Sequence, residues 1–304
     1  MLLKVTSAFI VGAVTLCGAF RPSFRNQILN SRRYVATEEP LVYDINREAQ
    51  VPAEGTMMAS PAFKILNFIM SIPIVHDIMF GVYRKQIVEK SEKMGLAWTE
   101  FMDEQWENLP NLKKTAAELT NPEVTIPDYY YATIHAYKEG NLCWESAMEE
   151  DLWSKLMIAP LYNNALDGDV QMRQKWLAIT NRAIKPNPKT ATDLGCGTGL
   201  SMYMLDSKWP SLEAITGIDL STFKLAVCAD KKSLMSTDKS ERYNLIHGPA
   251  ENTPIPSESQ DLVSLCLVAH ESPKWVSESI FKEAYRILKP GGSFTMLGTL
   301  ALSL

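Results

Sequence analysis

The 304-residue chain is 46% hydrophobic and 21% charged, which excludes a wholly disordered, collagen-like or disulfide-scaffold protein. Its length fits one large or two ordinary domains and suffices to bury a substantial core. A formal net charge of −5 argues against a general nucleic-acid binder, so no nucleic-acid partner is expected.

Charge is unevenly spread. Five bases (Lys4, Arg21, Arg25, Arg32 and Arg33) and no acid precede Glu38, leaving 25 bases against 35 acids in the remainder. The run from Val5 to Leu16 is apolar, long enough for a signal-peptide core and short of the about 20 residues that span a bilayer. Cys17-Gly18-Ala19 offers small residues at the cleavage positions before Phe20. The stretch that follows is rich in Arg, Ser and Asn and free of acids, which is transit-peptide composition. The join resembles the bipartite leader of algae with secondary plastids. A leader is therefore expected over 1–36 and a plastid stroma as the location; a signal peptide leading to the secretory pathway is the alternative. The five cysteines, at 17, 143, 196, 228 and 266, contain no C-x-x-C pair. They give neither a disulfide framework nor a zinc spacing, in keeping with a reducing compartment, and no metal is expected.

Residues 37–60 are acidic, contain Pro and Gly and lack periodicity, and are read as a linker. Residues 61–184 are expected to be a helical N-terminal region. Phe63 to Tyr83 is apolar but broken by Lys64, Asn67, Pro73, His76 and Asp77. Such residues are costly in lipid, so a buried helical hairpin bent at Pro73 is favoured over peripheral membrane contact, and no transmembrane span is expected in the mature chain. Helices are predicted over Trp144–Leu156 and Val170–Ile184. Before them lies an aromatic and polar segment, Pro127 to Asn141. Its Tyr130, Tyr131 and His135 are read as aromatic core in preference to a lid.

From Thr190 strands and helices alternate. Strands are predicted at 190–194, 214–219, 243–247, 261–268 and 293–298, and helices at 200–207, 221–235 and 273–288. The run Asp261 to Val268 is almost entirely apolar, as a parallel strand covered on both faces must be. In the last helix Ser272 is the expected cap and Pro273 the first residue. Val276, Ile280, Ala284 and Leu288 form its apolar stripe, and Pro290-Gly291-Gly292 stops it. The pattern gives an α/β fold with a doubly wound, mostly parallel sheet, here over 185–304.

The segment Asp193-Leu194-Gly195-Cys196-Gly197-Thr198-Gly199 joins a strand to a helix through a glycine turn. Glycines let the backbone bend tightly and approach a ligand with no side chain between. Asp219 ends the next strand, where a carboxylate can accept both hydroxyls of a ribose. The spacing is G-x-G-x-G, with an acid two residues before the first glycine. A carboxylate there repels a pyrophosphate and attracts an ammonium or sulfonium, so charge favours S-adenosylmethionine over NAD and an oxidoreductase is the weaker reading.

Asp193–Gly199 resembles the glycine-rich loop of class I S-adenosylmethionine-dependent methyltransferases, most nearly the type 11 domain. The segments 215–221 (ITGIDLS), 247–271 (HGPAENTPIPSESQDLVSLCLVAHE) and 283–292 (EAYRILKPGG) resemble further motifs in the family's order, so the likeness covers about 185–298. The stretch YYYATIHAYKEGNLCWESA resembles a plastid-associated branch. The resemblance implies a Rossmann-like sheet and S-adenosylmethionine as cofactor. It implies that Gly195, Cys196, Gly197 and Gly199 form the loop under the methionine moiety, with Asp193 turned to the loop backbone or the cofactor amine. Asp219 would bind the ribose, Leu220 would pack on the adenine, and Ala250 and Glu251 would meet the adenine edge. Relatives often carry an acid where this chain has Pro249, and Glu251 or Asn252 is the substitute.

The acceptor is expected to be a small molecule, of the lipid or quinone type among others. His270, after the fourth strand, is the candidate general base, with Glu271 orienting it. A complete domain of this family continues beyond the fifth strand with a helix and two more strands. The sequence instead ends at Leu304, and a truncated chain is expected. A non-catalytic S-adenosylmethionine-binding or interaction protein is therefore the alternative function.

Overall fold

A computed structural model describes residues 9–17, 73–131, 137 and 139–301. The chain divides into two units, one of residues 36–99 with 303–304 and the other of 1–35 with 100–302.

In the smaller unit, helix α1 spans Pro73–Lys93. The Ser91 hydroxyl bonds back to the carbonyls of Ile87 and Val88 at 2.8 and 2.9 Å, a pairing that competes with the helical ladder near its end. The Thr99 amide then donates to the Glu92 carboxylate at 2.8 Å, fixing the turn into helix α2 (Trp98–Leu119). Pro73 opens α1 where it was expected to bend a hairpin, because its missing N–H is harmless in a first turn. The preceding half of that hairpin, 63–72, lies outside the described residues. No helix among the described residues is long and apolar enough to cross a membrane.

The larger unit is a sheet covered by helices. Helices α3 (Trp144–Ile158) and α4 (Gly168–Ala183) precede it. There follow β2 (Thr190–Leu194), α5 (Leu200–Lys208), β3 (Ala214–Asp219), α6 (Thr222–Ser233), β4 (Tyr243–His247), β5 (Gln260–Cys266), α7 (Lys274–Ile287) and β6 (Leu288–Ala301). With β1 (Phe9–Cys17) the strand order is β1-β6-β5-β2-β3-β4. The five predicted strands make its parallel part. The sixth, β1, comes from the segment expected as the leader core and pairs antiparallel with β6, Phe9 opposite Ala301 and Cys17 opposite Ser293. Its pairing occupies backbone donors and acceptors that the edge of β6 would otherwise expose.

Strands β2 to β4 match their predicted limits. β5 stops at Cys266, because Leu267 turns to a φ of 57°. β6 starts at Leu288, five residues early, and pairs with β5 through a register shift between Gln260 and Leu262. Ser272 does not cap α7: Pro273 holds the N-cap position, and the Ser272 hydroxyl donates to the Val268 carbonyl at 3.2 Å.

The core lies on both sheet faces. Leu262 joins Met172, Trp176 and Leu177 of α4 and Met202 and Leu205 of α5 on one side. Val263 and Leu265 join Val276, Ile280 and Ala284 of α7 on the other. This two-sided burial is why β5 reads as a continuous apolar run. Hydrogen bonds to Thr295 tie α4 to the sheet. The Trp176 indole donates to the Thr295 hydroxyl at 2.7 Å, and Thr180 shares that hydroxyl at 2.7 Å, so no polar group is stranded there. Helix α4 thereby covers the sheet.

Candidate active site

The order β5-β2-β3 puts the reversal of chain direction across the sheet between β2 and β5, and in open parallel sheets ligands bind at the carboxyl ends of strands beside such a point. A cavity of about 330 Å³ opens there, within the size range of small-molecule sites.

The glycine loop forms its floor. Gly195, Gly197 and Gly199 have φ of 68°, 52° and 87°, a region that side chains disfavour. The Gly195 and Cys196 amides donate to the Ile218 carbonyl at 2.8 and 3.0 Å, which pins the loop to β3. Asp219 then braces it: Oδ2 accepts from the Gly197 amide at 2.8 Å. Oδ1 accepts from the Ser221 amide at 2.8 Å and from the Tyr130 hydroxyl at 3.1 Å. Burial raises the pKa of Asp219, opposed by the Lys224 charge and these two amides.

Helix α3 supplies a second brace. Glu150 Oε1 accepts from the Thr198 amide at 3.1 Å, and Oε2 pairs with Lys224 Nζ at 2.9 Å. Asp151 accepts from the Thr198 hydroxyl at 2.9 Å and pairs with Lys231 at 2.6 Å. Burial alone would lower the pKa of Lys224. The carboxylates of Glu150, Glu271 and Asp219 outweigh it and hold the ammonium charged.

The remaining expected residues fall at different depths. Gly195, Cys196, Gly197, Asp219, Leu220, Ala250, Glu251 and His270 line the cavity. Leu220 and Ala250 are buried apolar surface. Glu251 Oε1 accepts from the Tyr129 hydroxyl at 2.6 Å, while Oε2 is buried with no hydrogen-bond partner among the described residues. His270 Nε2 lies 3.7 Å from Glu271 Oε1. Gly199 sits behind the loop, where a Cβ would meet the Cys228 sulfur and the Tyr203 ring, each at 2.7 Å.

Asp193 is also behind the loop, outside the cavity lining. Its Oδ1 accepts from the Ser264 hydroxyl at 2.6 Å, not from loop amides, and Oδ2 has no partner among the described residues. Burial pushes its pKa up to about 7, against the Ser264 bond and the Arg173 charge. This has a consequence for stability. Between the unfolded carboxyl's pKa near 3.8 and about 7 the native state keeps a proton that the unfolded state loses, so stability falls as pH rises. Relative to Asp193→Asn, the wild-type unfolding free energy should decline from pH 4 to pH 7, by at most about 1.4 kcal/mol per pH unit. Parallel pH profiles of the two proteins in urea unfolding would contradict the assignment.

Three charged lining residues carry no sequence signature: Glu150, Arg173 and Lys224. Arg173, on α4, is buried. Its Nε donates to the Ser201 hydroxyl at 3.4 Å. Nη1 donates to Ser154 at 3.1 Å and to the Asp169 carbonyl at 3.3 Å, and lies 3.6 Å from the Asp169 carboxylate. Only its position on the apolar face, three and four residues before Trp176 and Leu177, signalled that a base would be buried.

A model of the methyltransferase domain family matches residues 192–296, from β2 to β6. Residues 192–296 thus match a methyltransferase domain. Among relatives, the demethylmenaquinone methyltransferase of Bacillus licheniformis is 29% identical over 130 residues, 42% of this chain and 53% of that protein. That of Staphylococcus epidermidis is 34% identical over 109 residues, 36% of this chain and 42% of that protein. The chain thus spans about half the length of the relatives it matches. A solved phosphoethanolamine N-methyltransferase from Haemonchus contortus, bound to S-adenosylhomocysteine, is 26% identical. It covers 40% of this chain and 27% of its own, with a TM-score of 0.33. The matched interval of the methyltransferase domain contains the glycine loop, Asp219, Leu220, Ala250, Glu251 and His270. Glu150, Arg173 and the two tyrosines come from outside it, so part of the cavity wall is built by the preceding helices.

Proposed function

We propose that the protein transfers the methyl group of S-adenosylmethionine to a small-molecule acceptor of the lipid or quinone type, in a plastid. The observation that carries the cofactor is the cavity's charge. Four carboxylates, Glu150, Asp219, Glu251 and Glu271, line it against two permanent cations, Arg173 and Lys224. A net acidic, partly desolvated site suits a cationic ligand. The unpartnered Glu251 Oε2 is a ready acceptor for an exocyclic amine, and Leu220 and Ala250 offer apolar surface for a flat base. The relatives' name motivates the quinone class, and the basic, acid-free leader motivates the plastid.

When bound, S-adenosylmethionine supplies an electrophilic methyl group on a sulfonium. The chain's own residues bind and orient. Asp219 would accept from the ribose hydroxyls and Glu251 from the adenine edge, and the Arg173 guanidinium would supply positive charge for the carboxylate of the amino-acid end. Helix α3, which lines one wall of the cavity, would help to exclude water and to align the acceptor with the methyl group. His270, beside Glu271, would take the proton of an acceptor that must lose one.

The test is equilibrium binding of S-adenosylhomocysteine and of NADH to the full chain, then methyl transfer from labelled S-adenosylmethionine to a plastid quinone and lipid extract. Binding of S-adenosylhomocysteine alone, with label entering the extract, is the expected result. NADH binding without S-adenosylhomocysteine binding would overturn the cofactor, and binding without turnover would favour the non-catalytic alternative.

A further inference from the structure

The 3₁₀ turn Asp128–Tyr131 has no buried residue, yet its two central tyrosines reach the two carboxylates assigned above to the ribose and the adenine. Tyr130 donates to Asp219 Oδ1 at 3.1 Å and Tyr129 to Glu251 Oε1 at 2.6 Å. The geometry is that of a bolt across the nucleoside half of the cavity. The segment is anchored on both sides: the Asn121 amide donates to His247 Nδ1 at 3.1 Å, while His247 Nε2 meets the Leu220 carbonyl at 3.1 Å, and the buried Tyr137 hydroxyl accepts from the Trp153 indole at 2.7 Å. Burial lowers the pKa of His247, so the neutral ring, accepting at one nitrogen and donating at the other, fits both bonds. Among the described residues, the turn is held by the two tyrosine hydroxyls, the local bond from the Tyr130 amide to the Pro127 carbonyl at 2.9 Å, the edge contacts of the Tyr129 ring with Trp275 and Tyr130, and the packing of Tyr129 on the apolar cluster of β5 and α7.

Counting lone pairs sharpens the point. A carboxylate oxygen accepts about two hydrogen bonds. Oδ1 of Asp219 already holds two, from the Ser221 amide and Tyr130. Oδ2 holds one, from the Gly197 amide. The two amides belong to the loops that build the site and cannot leave. A ribose diol that engages both oxygens therefore needs the position held by Tyr130, the one of the three donors that is a side-chain hydroxyl and not a loop amide.

We propose that the turn Asp128–Tyr131 is a latch. Its tyrosine hydroxyls occupy Asp219 and Glu251 Oε1 in the free protein, and the ribose of the cofactor displaces that of Tyr130 on entry. This rests on the cofactor reading above and adds its regulation: affinity and entry rate are set by how firmly the latch is held. The Tyr130 bond has a charged acceptor in a partly buried site, so losing the competitor should be felt as about a tenfold change.

The experiment uses the full chain as wild type, Tyr130→Phe, Tyr129→Phe and the double variant, all of which keep the rings and their packing. S-adenosylhomocysteine affinity and association rate are measured by calorimetry and stopped flow, and backbone exchange of 128–131 by hydrogen–deuterium exchange without ligand. Tyr130→Phe should bind about tenfold more tightly, with the gain largely in association rate, and the double variant should exchange faster at 128–131 in the free protein. Equal or weaker binding by Tyr130→Phe would overturn the latch, since the hydroxyl would then be neutral or would help to hold the ligand. Unchanged exchange in the double variant would overturn it even if no form bound S-adenosylhomocysteine. Faster exchange with no binding by any form would support the tyrosine hold and defeat only the cofactor reading.

Discussion

Asp219→Ala is expected to weaken S-adenosylhomocysteine binding by about 100-fold or more. Two hydrogen bonds from a ribose diol to one carboxylate are charge-assisted, and each such bond is worth roughly 1.5–3 kcal/mol. The side chain does more than wait for a ligand. It ties the Gly197 amide and the Ser221 amide to one point at 2.8 Å each, so the floor of the cavity and the start of α6 share its position. Removing it frees the loop at the moment it removes the acceptor. The fold should suffer much less than binding. Burial raises the pKa of this carboxyl, so part of what its hydrogen bonds contribute is already spent on desolvation. Calorimetric titration beside a thermal melt separates the two effects. Unchanged affinity in a folded variant would sink the ribose assignment. The same substitution interrogates the latch. Tyr130 has no carboxylate to hold in Asp219→Ala, so Tyr130→Phe should add nothing in that background.

Much of the sheet was legible because strands and helices alternate in a regular order. Burial on both faces leaves the near-continuous apolar run of β5, and Thr190–Leu194, Ala214–Asp219 and Tyr243–His247 have the limits the pattern gives. The ends that differ are set by tertiary contacts. Asp261 accepts from Lys289 and from the Lys189 and Thr190 amides at 2.8–3.0 Å, which brings β6 against β5 earlier than the glycines suggest. Leu267 takes a left-handed conformation that nothing in its side chain announces.

The site divides in the same way. The loop and Asp219 lie in one short stretch with a glycine spacing, so local sequence exposed them. Glu150 meets Thr198 across 48 residues and Tyr130 meets Asp219 across 89. Such partners are chosen by the packing of α3 and of the 3₁₀ turn against the sheet. An acid on a helix and a tyrosine in an aromatic run read the same with or without them. Asp193 is the converse case. Its place in the motif was plain, but its depth was not. Ser264 on β5 and the loss of solvent decide its chemistry.

Gly197→Ala should cost about 2–4 kcal/mol of stability and remove most cofactor affinity. Two separate penalties add. The residue has φ of 52°, a region that costs an L side chain roughly 1–2 kcal/mol. A Cβ at this position also overlaps the Glu150 carboxylate, with Oε2 only 2.9 Å away. That carboxylate is not free to step aside. It holds the Thr198 amide and is paired with Lys224, and moving it leaves a buried ammonium with a weakened partner. The two contributions can be parted. Glu150→Ala in the Gly197→Ala background removes the overlap and leaves only the backbone strain, so the second substitution should be far less damaging there than in the wild type. Gly248 is the control, since a Cβ there meets nothing within 4 Å and alanine should be tolerated. Urea unfolding of the wild type, Gly197→Ala, Glu150→Ala, the double variant and Gly248→Ala, with S-adenosylhomocysteine titrated into each, reads both effects. Wild-type stability in Gly197→Ala would mean that the loop does not hold its left-handed turn against α3, and the brace that shapes the cavity floor would fall with it.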